Sequence, residues 1–341
     1  MVFIIKYLYI LFDIRKNIMN IFNICKSNNY HTSNVVLTKF LCSFAILYDW
    51  SLIWVSGLDS KKYLQSQITR NLFLLNYNKH ILSAHCNARG KVWNILHLFH
   101  YNHGYAYIQQ NDLSKIQINE LKRYSIFSDV NIVQLSKFTL LGVFGLNCRK
   151  VLSDFFNILP DKNKTVVYVN DNVLLWFDNP IERFLLILKQ KDFLDVKTFL
   201  LKQSIQCNLN KWLFLDIQSG FPMLNIKTTG KFIPQELNLE NLKGIDFDKG
   251  CYCGQEVISR LHFRNINKRN LYCLIGITKN VPCLLEDIEM YDNSWKKVGN
   301  IFFVLQIKKN IFCIQGILKN IVSLKNIYRL SNDVTSYFII K

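Results

Sequence analysis

The stretch Asp248–Arg260, DKGCYCGQEVISR, sets two glycines, two cysteines, a tyrosine and a Gln-Glu pair ahead of residues with helical character. Gly250 frees the backbone before a helix, and Gly254 permits the close approach of another backbone or a ligand. Glu256 and Arg260 stand at the spacing of a helical ion pair. A helix starting here would put Cys251 in its first turn, beside Lys249. Helix N-terminal amides and a neighbouring ammonium both favour the thiolate. The stretch therefore predicts a reactive, partly exposed thiol. The plainer reading is a buried cysteine beneath a helix cap. The order Lys249-Gly250-Cys251-Tyr252-x-Gly254-Gln255-Glu256 is more specific than a cap requires.

Composition sets the frame around this stretch. A chain of 341 residues, half of it apolar and 14% aromatic, can bury the cores of two or three domains. Its formal net charge of +18 attracts polyanions: nucleic acid, anionic membrane or acidic ligands. Lysines are scattered, however, and Lys, Asn, Ile, Phe and Tyr are abundant throughout, as codon bias in an AT-rich genome produces. That bias outweighs a dedicated nucleic-acid surface. The ten cysteines are widely spaced apart from Cys251 and Cys253, and a lone C-x-C pair is a poor zinc signature. Free thiols in a reducing cytoplasm are expected. Residues 1–40 form an N-terminal extension whose apolar run is broken by Lys6 and is too short to span a bilayer. An amphipathic surface helix, or an extension upstream of a start at Met19, are its two readings.

Further along, AILYDWSLIWV (45–55) reads as a strand and residues 58–69 as a helix capped by Asp59 or Ser60. Two β segments follow, the second turning at Asn102-His103-Gly104. Residues 111–127 read as a helix, 138–145 as a buried strand, and 147–159 as a helix stopped by Pro160. A hairpin at 166–177, a strand at 182–188 and a helix at 191–202 complete an α+β pattern. No G-x-G-x-x-G or Walker loop follows a strand, which disfavours a nucleotide-binding core. After Lys268 only short strands remain, the pattern of a small antiparallel barrel or sandwich. The histidines give no metal set: His97 and His100 lie in a hairpin strand, where their odd spacing points them to opposite faces.

The segment KGCYCGQEVISR resembles the signature of the YgfZ-type folate-binding, tRNA-modifying proteins, relatives of the glycine cleavage T-protein aminomethyltransferases. GLDSKKYLQSQIT, LSAHCNARGKVWN, ELKRYSIFS, LLWFDNPIERFL, WLFLDIQSGFP and KFIPQELNLENLKGIDFDKGCY are similar to segments of that family, in the same order. The resemblance implies a three-domain aminomethyltransferase-like ring around a central cleft, closed by a C-terminal β-barrel. It divides the chain into a first α+β domain (41–137), a second (138–202), a segment with the Cys motif completing the first (203–267), and the barrel (268–341).

The resemblance also implies a folate cofactor, tetrahydrofolate or a one-carbon derivative, held by Trp50 and Trp212, whose flat rings suit a pteridine. It implies Cys251 as the candidate catalytic residue within a motif of Lys249, Gly250, Tyr252, Gly254, Gln255, Glu256 and Arg260. Partners would be folate and iron–sulfur tRNA-modifying enzymes; direct tRNA binding stays open. The expected role is a folate-binding accessory factor in tRNA modification and iron–sulfur enzyme maintenance. Alternatives are a folate-dependent one-carbon transferase and a basic RNA-binding protein. Asn87 stands where the family often carries an aspartate, and an amide cannot serve as a carboxylate base. Asp59, Gln65 and Gln67 are candidate polar lining by analogy, and Cys253 has no assigned role.

Overall fold

A computed structural model describes residues 41–320, 322 and 326–341, so both readings of the N-terminal extension lie outside the described residues. The apolar run Arg183–Lys189 forms strand β10, which pairs antiparallel with β7 (Phe138–Phe144) and β9 (Asn172–Phe177). Phe184, Leu186 and Leu188 face one hydrophobic cluster, while Leu185 and Ile187 face another. A strand covered on both faces needs no polar alternation, which is why this run is continuous. The sheet has six strands in the order β11-β1-β7-β10-β9-β8, completed by β1 (Ser43–Ile46), β8 (Val166–Val169) and β11 (Ile205–Gln206). Helices α3 (Cys148–Ser153) and α4 (Gln190–Gln203) cover its outer face through Val151, Leu152, Val196 and Leu200.

A second sheet has five strands in the order β3-β4-β5-β2-β6: β2 (Trp50–Ser56), β3 (His80–Cys86), β4 (Val92–Tyr101), β5 (Gly104–Gln110) and β6 (Asn131–Gln134). Helices α1 (Ser60–Gln65) and α2 (Asn111–Arg123) cover its outer face through Tyr63, Leu64 and Leu121. The expected single strand over 45–55 is in fact two strands in different sheets. The chain turns between them, with Trp50 N–H donating to the Leu47 carbonyl at 3.1 Å. Leu47 N–H bonds Leu140 of the first sheet, whereas the Asp49 carbonyl receives Asn111 N–H beside the second. An apolar stretch buried at both ends carries no period that marks such a crossing. The helix expected to reach Pro160 ends at Ser153 and continues as turns, where Phe155 and Phe156 fold back as an edge-to-face pair.

The C-terminal strands β12 (Arg269–Ile277), β13 (Asp287–Asp292), β14 (Ser294–Lys308), β15 (Ile311–Lys319), β16 (Tyr328–Leu330) and β17 (Asp333–Ile340) close into a barrel. Its interior is packed by Leu274, Ile288, Phe312, Ile314 and Phe338. Leu271, Ile275, Phe302 and Ile317 instead join one central cluster with the inner faces of both sheets. Each unit thus has a private core and gives a second face to a shared one. No helix among the described residues is long and apolar enough to cross a membrane.

Helix α5 (Leu209–Gln218) plugs the centre with Trp212, which is 1% exposed. The indole lies on Gly142 of β7, where an added Cβ would fall 2.3 Å from its Cε3 atom. Overpacking of this kind costs about 1–3 kcal/mol. We expect Gly142→Ala to lower unfolding stability by about that amount in urea denaturation; an unchanged midpoint would show that the indole does not rest on this strand.

Candidate functional site

The Cys251 segment is held by the residues on either side of the thiol. Lys249 is 6% exposed, and its ammonium donates to the carbonyls of Gln65 (2.6 Å), Ile68 (2.6 Å) and Arg70 (2.9 Å). All three N–H donors are therefore used. Burial pushes the Lys249 pKa down to about 7, and the nearby Asp246 carboxylate opposes the shift. The three carbonyl dipoles also favour the charged form. Tyr252 is buried as well, with its ring 4.8 Å below the ammonium. Between these anchors Gly250 and Cys251 face solvent.

The same cradle, residues 65–71, grips the chain before and after the motif. Asp246 N–H donates to the Thr69 carbonyl (3.0 Å), its carboxylate pairs with Arg70 (2.9 Å) and accepts Asn71 N–H (2.6 Å). Thr69 Oγ1 donates to the Gly244 carbonyl (2.6 Å), Arg70 also binds the Lys243 carbonyl, and Cys253 N–H reaches the Ser66 carbonyl (3.0 Å). Of the polar residues proposed as lining, Gln65 accepts Leu72 N–H within the cradle, while Gln67 leaves its buried Oε1 unpartnered. Asp59 lies elsewhere, accepting Asp129 N–H.

Three local expectations are corrected. Helix α6 spans Gln255–Phe263, so Cys251 precedes it and does not occupy its first turn. Lys249 turns inward to the carbonyls and makes no hydrogen bond to the thiol. Glu256 and Arg260 both face solvent and form no ion pair. The reason for the late start is Gly254, whose φ of 85° lies in the left-handed region and sets the entry of the helix. A Cβ there would meet the Asn87 carbonyl at 2.5 Å, so the motif packs directly on the β3–β4 turn. Asn87 shapes that turn by accepting the N–H groups of Arg89 and Lys91, each at 3.0 Å. Gly250 has open space around it.

The two tryptophans belong to an aromatic centre between the sheets. Trp50 is buried against Phe221, which stacks on His97 with ring centroids 5.0 Å apart. His97 and His80 both contact Phe177, which lies edge-on to Trp212. The Arg183 guanidinium sits over the Trp212 ring at 4.8 Å and bonds Asp216 at 2.6 Å, both partners buried. With Gly142 on the ring and Arg183 over it, Trp212 is wedged into the core rather than set on a surface. His97 and His100 do point to opposite faces: His97 lines the centre, and His100 stacks on Tyr77.

In this centre Arg183 Nε, His97 Nδ1 and His80 Nδ1 lack partners among the described residues, while the Trp212 indole N–H lies against the Asp216 carboxylate. Burial raises the Asp216 carboxyl pKa and Arg183 opposes it. Burial lowers His97 well below the usual histidine value, with His80 and Arg183 adding to the effect. Unpartnered ring and guanidinium nitrogens beside aromatic faces fit a flat heterocycle with its own hydrogen-bonding edge. Arg183, Asp216 and Phe221 were not singled out from the sequence. Their signal was a single charge inside apolar text, Asp216 in WLFLDI and Arg183 heading RFLLIL. Among the described residues no His, Cys, Asp or Glu group is placed to hold a metal.

The two glycines of the motif should respond differently. Gly254→Ala meets a positive φ and the Asn87 backbone, and costs about 1–3 kcal/mol. Gly250→Ala meets neither and stays within about 0.5 kcal/mol of the parent. Chemical denaturation of both variants checks this; equal losses would contradict the seating of Gly254.

Comparison with known proteins agrees with this architecture. A family described as the YgfZ beta-barrel domain matches residues 267–333. The tRNA-modifying protein YgfZ of Buchnera aphidicola subsp. Acyrthosiphon pisum is 41% identical over 313 residues, covering 92% of this chain and 96% of its own. The protein of the same name from Escherichia coli strain SE11 is 37% identical over 294 residues, 86% of this chain and 90% of its own. The glycine cleavage system aminomethyltransferase T of Bartonella henselae aligns with a TM-score of 0.67 over 89% of this chain and 85% of that one, at 14% sequence identity. At that identity the likeness is one of fold: α+β, aminomethyltransferase-like, with a closed C-terminal barrel. The relatives match this chain across nearly their whole length, and on that ground the chain belongs to the YgfZ family.

Proposed function

We propose that this chain is a folate-binding accessory protein of tRNA modification and iron–sulfur enzyme maintenance, working in the cytoplasm. The observation that carries the reading is the exposed Cys251 held out between two buried anchors, Lys249 and Tyr252. A structural cysteine would lie inward with them. An exposed thiol on a fixed loop is instead placed to meet a partner. The names of the relatives supply the process, tRNA modification.

Folate is the cofactor in this reading. Its pteridine would be held by Trp50, Phe221 and His97, with Arg183 Nε offering a hydrogen bond to its edge. Trp212 supports Arg183 from beneath rather than stacking on the ligand. A reduced folate carries one-carbon units when bound. Aminomethyl transfer ranks lower, because Asn87 is an amide already committed to Arg89 and Lys91. The charge of +18 is scattered and by itself marks no extended RNA-binding face.

Two measurements test the reading. Isothermal titration should show tetrahydrofolate binding that weakens about three- to tenfold in Trp50→Leu, the worth of one aromatic contact. Cys251→Ser should keep that binding and lose restoration of tRNA modification in a bacterium lacking its own YgfZ protein. Absence of folate binding removes the cofactor, and full restoration by Cys251→Ser removes the thiol.

A further inference from the structure

The fold forms a largely polar pocket of about 420 Å³, with Leu261 as its apolar member, at the C-terminal end of α6, where residues 235–241 meet the barrel. Six of its lining residues are asparagines. Three of them form a fixed ladder. Asn267 donates to Asn270 Oδ1 at 3.2 Å, Asn270 to Asn320 Oδ1 at 2.9 Å, and Asn320 to the Asn267 carbonyl at 3.0 Å. Each of these amides keeps a second N–H. Asn238 clasps the Leu271 backbone at both its N–H and its carbonyl, tying the wall to the first barrel strand.

On the opposite side two acceptors wait for a donor. Gln235 is buried and donates to the Ile258 carbonyl at 2.8 Å, but its Oε1 has no partner. Glu240 Oε1 lies 3.4 Å from Nδ1 of His262, outside hydrogen-bond geometry. His262 is itself fixed by stacking on Phe247, ring centroids 3.7 Å apart. Buried acceptors left unpaired are costly and uncommon in native folds. A ligand N–H would satisfy them. The residues next in sequence to this lining differ in character: Phe263 is 73% exposed, and Arg264 and Lys268 face solvent.

We propose that this pocket receives one unpaired nucleotide of an RNA strand, its base carrying an exocyclic amino group. The inference deepens the tRNA-modification reading and rests on it for the source of the strand. The amino N–H groups of adenine or cytosine supply the donors that Gln235 and Glu240 lack, and the asparagine N–H groups meet the base's acceptors. Uracil has no amino group, and its single N3–H can meet only one of the two acceptors. Phe263 provides the stacking face typical of single-strand recognition, and Arg264 and Lys268 attract the phosphates. The volume lies in the range of small-molecule pockets, so it admits a splayed-out nucleotide and not a duplex. Helix α6 spans about 13 Å from its start beside the motif to this pocket, so a bound strand would pass within reach of Cys251.

The test uses fluorescein-labelled oligo(A), oligo(C) and oligo(U) ribonucleotides of about eight residues, a single-strand site size, read by anisotropy. Oligo(A) and oligo(C) should bind at least about tenfold tighter than oligo(U), the worth of one or two hydrogen bonds. The pocket variant Gln235→Met/Glu240→Met, which removes both unpartnered acceptors, should abolish that preference. Gln235 also donates to the Ile258 carbonyl, so the thermal midpoint is measured alongside, and the single variant Glu240→Met, at a half-exposed side chain, gives the same readout without that loss. Arg264→Ala/Lys268→Ala should weaken all three strands alike and reduce the slope of affinity against salt by about two. Equal binding of the three strands, or a preference that survives in the pocket variant, overturns the proposal. Displacement by AMP as effective as by oligo(A) would reassign the pocket to a free nucleotide and overturn the strand. Folate titration of the pocket variant keeps the two readings apart: its loss of RNA preference with folate affinity intact supports this site, whatever Cys251→Ser does in the cell.

Discussion

One buried ammonium organises the functional face of this protein. Lys249 reaches through the protein to close on three carbonyls of the 65–70 loop, residues that otherwise end helix α1 with their backbone acceptors unfilled. An ammonium with every donor satisfied is tolerated in the interior; the same group without partners is not. The contact joins two segments about 180 residues apart in sequence. On that joint depend the exposure of Cys251, the burial of Tyr252 and the entry of α6 across the Asn87 turn. The lysine of the motif is thus an anchor for the thiol's loop, not a charge beside the thiol.

The surrounding architecture explains why so firm a joint is useful. Two sheets and a barrel each own a core and share a fourth cluster between them. The shared cluster contains the Arg183–Asp216 pair, two half-enclosed histidines and two tryptophans. Polar atoms without partners occur there, as at Arg183 and His97, and in the asparagine pocket, as at Gln235. The proposed sites both lie at seams between units, where a ligand can complete hydrogen bonds that the chain leaves open.

The sequence made some of this legible and hid the rest for physical reasons. The apolar run at 138–145 announced a buried strand, and the turn at Asn102-His103-Gly104 and the hairpin at 166–177 are both present in the structure. The loss of helices after Lys268 announced the barrel. The crossing at Leu47–Asp49 was invisible because both flanking strands are apolar on both sides. The Lys249 clamp was invisible because its acceptors are backbone carbonyls, which no side-chain pattern encodes. Trp212 showed in the sequence as an aromatic of unknown setting; only its packing on Gly142 and Arg183 reveals a wedge. The asparagines of the second pocket looked like compositional drift, and only folding brings Asn267, Asn270 and Asn320 together.

The central claim is that the Lys249 ammonium holds the Cys251 loop onto the 65–70 cradle. Hydrogen exchange of a Lys249→Met variant, read by mass spectrometry on peptides of this segment, tests it most directly. The account predicts that the amides of Asp246 and Cys253, bonded to Thr69 and Ser66, lose protection while those of β10 keep it. Protection of Asp246 and Cys253 at the parent's level would contradict it.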